Sequence, residues 1–143
     1  MAKTGTSVRL RPDLKEALDR RARETGTSAT ALFERFLDEG LRREDHPLIS
    51  FRDGGGGRRA TVAATRLTVA QVIDTLQATD GESEADRIRG TAEYFDIPIS
   101  YVQASIGYYA AFQAEVDAWR TAMDEAAERA RAAWERERAV FSS

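Results

Sequence analysis

Residues 6–45 read TSVRLRPDLKEALDRRARETGTSATALFERFLDEGLRRED, and the fold turns on how this stretch is parsed. Val8 and Leu10 alternate with Ser7, Arg9 and Arg11, the period of a strand with one apolar and one polar face. Pro12 suits the first turn of a helix, and Leu14, Ala17, Leu18 and Ala22 recur at spacings of three and four until Gly26 stops it. Thr27 or Ser28 can cap a second helix with Leu32, Phe33, Phe36, Leu37 and Leu41 on its apolar face, ending near Arg43. One strand and two helices, about 45 residues in all, leave the strand's hydrogen bonds unmet and bury too little apolar surface to stand alone. Pairing the strand with its own copy across a two-fold axis answers both needs, because Val8 and Leu10 of two chains then cover a shared helical core. Ser7 and Arg9 of both chains gather on the opposite face. A two-stranded ribbon fits the major groove of DNA, where arginine grips guanine O6 and N7 and serine serves either base type.

Charge points to the same end of the chain. Up to Arg23 there are seven basic residues against three acidic ones, whereas Glu24 to His46 carries three basic and six acidic. Over all 143 residues, 21 basic and 24 acidic side chains leave a net charge of −3, so any nucleic-acid contact rests on where the positive charges sit. The length suits one domain or two small ones and is short for an enzyme built round a wide cleft. Without cysteine there is no disulfide, thiolate nucleophile or Cys-ligated zinc; with His46 as the single histidine, neither a Ser/His/Asp arrangement nor a His-rich metal site is expected. A non-enzymatic binding protein without cofactor or metal follows. No apolar run approaches the ~18 residues of a spanning helix, and MAKTG at the start lacks the apolar core of a secretory signal, so a cytoplasmic protein without membrane contact is expected.

The second block opens with a hairpin: Leu48 to Arg52, a turn through Asp53-Gly54-Gly55-Gly56-Gly57, then Arg58 to Val62. Thr68 can cap a helix through Val69, Val72, Ile73 and Leu76, and Ser83 with Asp86 resembles a capping box for one through Ile88, Ala92 and Phe95. After Pro98 a third has Val102, Ile106 and Tyr109 inward; the short link Asp96-Ile97-Pro98 predicts a steep meeting, as in a helix-turn-helix. From Gln113, Val116, Trp119, Met123, Ala126, Ala130 and Ala133 predict one helix of roughly 25 residues. The fold class is therefore mainly α in two domains. Residues 1–45 form a dimeric arm of one strand and two helices, and residues 46–143 a β-hairpin, a helix-turn-helix-like helical domain and a long C-terminal helix.

Plainer readings absorb several tempting residues. His46 before proline reads as a loop residue, and the glycine run as a hairpin turn, since the Gly-Lys-Ser/Thr of a phosphate loop is missing. One of Tyr108 and Tyr109 reads as core, and Asp74, Asp80, Glu82 and Glu84 as solvated faces. On the last helix, Trp119, Met123, Ala127, Ala130 and Trp134 form a stripe flanked by Arg120, Arg129, Arg131, Arg136 and Arg138. Packing on its own domain, self-association and docking in another protein's groove all stay open, although an alanine-rich seam buries little per residue and favours docking over a self-paired coil.

Two resemblances add to this reading. SVRLRPDL at 7–14, Gly26-Thr27-Ser28 and the apolar pattern over Thr6 to Arg43 resemble the ribbon-helix-helix family of dimeric transcription factors. That resemblance implies base reading by Ser7 and Arg9, with Gly5 at the outermost reading position, and a phosphate grip by Thr27, Ser28 and Ala29 at a helix N-terminus. Gly5 has no side chain, so Lys3 or Arg11 is the expected substitute. Further on, His46-Pro47-Leu48-Ile49, Gly57-Arg58-Arg59, Thr65-Arg66-Leu67-Thr68-Val69, and Val102 with Tyr108-Tyr109-Ala110-Ala111 and Glu115-Val116-Asp117 look like the family called domain of unknown function 433. That family usually carries glycine where this chain has Ala64, so a different local backbone is expected there.

The second resemblance implies a helix-turn-helix-like domain acting in toxin–antitoxin pairs beside toxins of the PIN ribonuclease class. Arm and domain together resemble a VapB-type antitoxin: a homodimer through the N-terminal strand that binds operator DNA, represses its own operon and neutralises a PIN-type toxin, with higher-order assembly left open. In resembling systems a terminal segment covers the toxin, which makes Trp119, Met123, Arg129, Arg131, Trp134, Arg136 and Arg138 the candidate toxin contacts. PIN nucleases hold metal with clustered carboxylates, and an arginine reaching them would neutralise the cluster and displace the ion. The rival reading is a toxin-independent ribbon-helix-helix transcriptional regulator.

Overall fold

The computed structural model describes residues 2–142; Met1 and Ser143, the outermost residues of the two expected domains, lie outside the described residues. Helices dominate, with one two-stranded antiparallel sheet. The chain divides into two compact units, one ending at Arg42 and the other beginning at Arg43, so the division falls inside the second helix rather than after Asp45.

In the first unit, α1 (Pro12–Thr25) starts on its proline and ends at Gly26, whose φ of 66° lets its N–H reach the carbonyls of Ala22 and Arg23. Ser28 starts α2 (Ala29–Asp45): its hydroxyl accepts the Ala31 N–H at 3.1 Å and its carbonyl the Leu32 N–H at 3.0 Å. Residues 2–11, which include the strand expected over 6–10, form no regular element in the single chain, where the second copy expected to pair with them is absent. A strand exists only by pairing, and the only paired strands among the described residues belong to the second unit.

The second unit opens with β1 (Ile49–Gly54) and β2 (Gly57–Val62), paired from Ile49 opposite Val62 to Gly54 opposite Gly57. Here the expectation is corrected: the strands run through Gly54 and Gly57, leaving Gly55 and Gly56 as the turn, and Gly57 just after it has a φ of 102°, a conformation that favours glycine. Beyond the hairpin a single bridge between Thr61 and Thr68 lays the following segment beside β2. Ala64 in that segment has φ 63°, in the left-handed region that favours glycine. Thr65 holds the turn, its N–H and hydroxyl both donating to the Val62 carbonyl, at 3.1 and 2.8 Å.

Helix α3 (Val69–Ala78) begins with a reciprocal cap, the Thr68 hydroxyl accepting the Gln71 N–H at 3.1 Å while the Gln71 side chain accepts the Thr68 N–H at 2.9 Å. Ser83 caps α4 (Glu84–Phe95) by accepting the Asp86 N–H. A hydrogen bond from the Ser83 side chain to the Asp86 carboxyl, with Arg89 beside it, holds that carboxyl below the ordinary carboxylate range. Arg87 of α4 donates to the Leu76 and Thr79 carbonyls at 2.9 and 3.1 Å, satisfying the end of α3. After Asp96, left-handed at φ 53°, and Pro98 come α5 (Ile99–Ala111) and α6 (Gln113–Val140). At 28 residues α6 is about 42 Å long, slightly more than expected.

Two apolar clusters hold this unit together. Val62, Val72, Ala92 and Val102 join the hairpin to α3, α4 and α5; Ile49, Ala60, Val69, Ile73, Tyr108 and Val116 join it to α5 and α6. Tyr108, rather than Tyr109, is the fully buried tyrosine. Its hydroxyl hydrogen-bonds the Glu115 carboxylate at 3.0 Å, and His46 packs edge-on against its ring. Among the described residues no helix is long and apolar enough to cross a membrane.

Candidate nucleic-acid interface

The residues expected to read bases lie in the segment before α1, which forms no regular element. Gly5, Ser7 and Arg9 are exposed, and Arg9 forms no ion pair among the described residues. Lys3 and Arg11 are engaged: Lys3 Nζ pairs with Glu34 of α2 at 3.0 Å, and Arg11 Nε with Asp13 at 3.4 Å. Both pairs are exposed, where such bonds are worth about 0–1 kcal/mol, so a phosphate can displace either carboxylate. Thr27, Ser28 and Ala29 lie at the start of α2, whose first turn carries no acidic residue. Its positive end is therefore not cancelled by a neighbouring carboxylate.

The apolar face of the same unit is unfinished. Only Ala22 and Leu32 are buried among its hydrophobic residues, while Val8, Leu14, Phe36, Leu37 and Leu41 are exposed, Leu37 by 54% and Leu41 by 61%. Leu14, Ala17, Leu18 and Phe36 line a depression of about 250 Å³ between the two helices. So much apolar surface on one small unit marks an interaction face.

The residues expected to meet a toxin separate into two groups along α6. Trp119 and Met123 pack against the buried cluster of their own unit, so they are not free anchors. Arg120 belongs there too, reaching Asp74, Asp117 and Gln77 and the Tyr109 hydroxyl. Burial works against its charge, yet the carboxylates of Asp74 and Asp117 more than offset that and raise its pKa. Tyr109 donates to Asp117 at 2.7 Å, a bond that with burial raises the phenol pKa. Farther along, Arg129, Arg131, Trp134, Arg136 and Arg138 are all exposed. Arg131 is tied to Glu128 and Glu135 within the helix, and Arg138 lies over the Trp134 ring at 5.8 Å.

The first unit thus consists of an N-terminal segment and two helices joined by the Gly26-Thr27-Ser28 turn. Residues 5–44 match the family model described as ribbon-helix-helix protein, copG family. That span is under a third of the chain and ends two residues into the second unit. No curated protein and no solved structure matches the chain.

Proposed function

We propose that the chain is a dimeric DNA-binding regulator and, more specifically, a cytoplasmic antitoxin that represses its own operon and neutralises a PIN-type ribonuclease, without catalysis of its own. The observation that carries the DNA-binding part is the exposed apolar face of a unit whose residues match the ribbon-helix-helix model. A second copy would cover Val8, Phe36, Leu37 and Leu41, and its residues 6–10 would supply the missing strand edge. Ser7 and Arg9 of both chains would then face the major groove, with the N-termini of both α2 helices on flanking phosphates.

The toxin part rests on the resemblance of the second block to domain of unknown function 433. It also rests on the distal half of α6, which carries Trp134 among exposed arginines. One observation favours the toxin-independent regulator: Trp119 and Met123 are used in their own core, leaving Trp134 as the one exposed tryptophan of the stripe. Co-expression with the neighbouring reading frame separates the two. The antitoxin reading expects that frame to be toxic alone, tolerated with this chain, and toxic again when the chain ends after Ala126, a cut that keeps Val116, Trp119, Arg120 and Met123. Absence of any bound neighbour would refute the toxin and leave the regulator.

A further inference from the structure

Positive charge in the second unit collects in one cleft that the arm's function leaves unexplained. Arg52 of β1 stands directly opposite Arg59 of β2 in the strand register. The segment bridged to β2 by Thr61 and Thr68 brings Arg66 to the same cleft, which has a volume of about 570 Å³ and is lined also by Arg58 and Asp53. Asp53 is its single carboxylate, 3.4 Å from Arg58. Arg59 is fixed in place, its guanidinium 5.2 Å over the Trp119 ring and donating to the Arg58 carbonyl at 3.0 Å. Arg52 and Arg66 are exposed, and neither pairs with a carboxylate among the described residues.

Like charges directly opposite in a sheet destabilise it, so the Arg52–Arg59 pair is a cost that a bound anion would turn into a gain. Elsewhere in the unit three arginines are compensated internally, Arg89 by Asp86, Arg120 by Asp74 and Asp117, Arg131 by Glu128 and Glu135. Arg129, Arg136 and Arg138 are also without a carboxylate partner among the described residues, but they lie along one exposed helix rather than round a cleft. By contrast α5, the second helix of the helix-turn-helix-like pair, reads ISYVQASIGYYAA and carries no charged residue with which to grip phosphate.

We propose that this cleft seats the phosphate backbone of duplex DNA, a second and sequence-independent contact; the inference rests on the reading of the arm as DNA-binding. Guanidinium forks match pairs of phosphate oxygens, and arginines on both strands and on the bridged segment suit a run of phosphates better than a single ion. The turn at Gly55 and Gly56 carries no side chain, which leaves a polymer backbone room to approach. An arm already on DNA raises the concentration of duplex around the cleft, which favours DNA over an acidic protein met in solution.

The test uses the full chain and two duplexes of equal length, one from upstream of its own reading frame and one unrelated, with affinity measured against salt. Arg52→Ala/Arg66→Ala should weaken binding to both duplexes by the same factor and reduce the slope of log K against log salt by about 1.8 per bound chain, two phosphate contacts at about 0.9 each. Arg52→Lys/Arg66→Lys should restore most of the slope. Both positions are exposed, so the melting curve of the alanine variant should stay near that of the parent. Unchanged slope and affinity would overturn the cleft while leaving the arm intact, as would a loss confined to one duplex, or lost capture of a partner protein with DNA binding unchanged. Arg9→Ala judges the arm separately, because its loss should fall on the upstream duplex alone. A parent chain that binds neither duplex removes both readings.

Discussion

Leu41→Ala tests the shared core where the structure gives a number. Leu41 is 61% exposed in the single chain, although it lies on the apolar face of α2 with Phe36 and Leu37. Fully burying a leucine is worth about 1.5–3 kcal/mol, so covering the exposed fraction contributes about 1–2 kcal/mol per chain. A two-fold interface makes each contact twice, which raises this to about 2–4 kcal/mol per dimer. At about 1.4 kcal/mol per tenfold, the dimer should weaken between about 30-fold and several hundred-fold, toward the lower end because alanine keeps Cβ. Sedimentation equilibrium over a dilution series reads this directly, and DNA binding by the variant should become dependent on protein concentration over the same range. Tyr94→Ala is the matched control, since Tyr94 is 75% exposed on the second unit and outside the proposed interface. A Leu41→Ala variant with the parental dimer constant would refute the reasoning, as would a parent monomeric at concentrations where it binds its operator.

Three further outcomes follow from the second unit. Ala64→Gly should stabilise the protein by about 0.5–1 kcal/mol in a denaturant melt: relief of a left-handed alanine is worth about 1–2 kcal/mol, against about 0.4–1 kcal/mol for the added freedom of the unfolded chain. Because the folded pKa of Tyr109 is raised, its stabilising contribution is complete below the ordinary phenol value near 10 and is lost as pH rises through the folded value. Asp117→Asn should bring the phenolate absorbance step back toward that ordinary value. A chain ending after Ala126 should keep the parental melting cooperativity of the second unit, whereas one ending after Ala114 should lose it with Val116, Trp119 and Met123.

What the sequence makes legible depends on how local the cause is. The helices were readable because their starts and stops are local chemistry: Pro12, Ser28, Thr68 and Ser83 at the beginnings, Gly26 at an end. The stripe on α6 was readable as a stripe but not as two halves, since whether Trp119 meets a core or solvent depends on Ile49, Ala60 and Tyr108, which arrive from distant positions. Ala64 is a related case. Alanine disfavours the left-handed region when taken alone, but Thr65 and Leu67 fasten the chain on the far side of it, and that closure overrides the residue's own preference. The arginine cleft lay hidden because Arg52, Arg59 and Arg66 become neighbours only through hairpin register and one bridge.

The strand at 6–10 is the instructive case, because alternation in sequence and exposure in structure describe one fact from two sides. Val8 is placed by the pattern on a buried face, yet the single chain leaves it 59% exposed. Leu37 and Leu41 repeat the contradiction on α2. A pattern written for burial, on a unit that cannot supply it alone, requires the cover to come from outside the unit. A second copy is the cover that also completes the strand's hydrogen bonds, whereas a helix laid over the same apolar face would leave those backbone groups unpaired. The dimer should therefore form before, and independently of, any DNA or protein partner, and residues 6–10 should show slow amide exchange in the free protein only at concentrations where sedimentation finds the dimer. Rapid exchange there in a fully dimeric sample would place the shared interface on the helices alone and remove the ribbon.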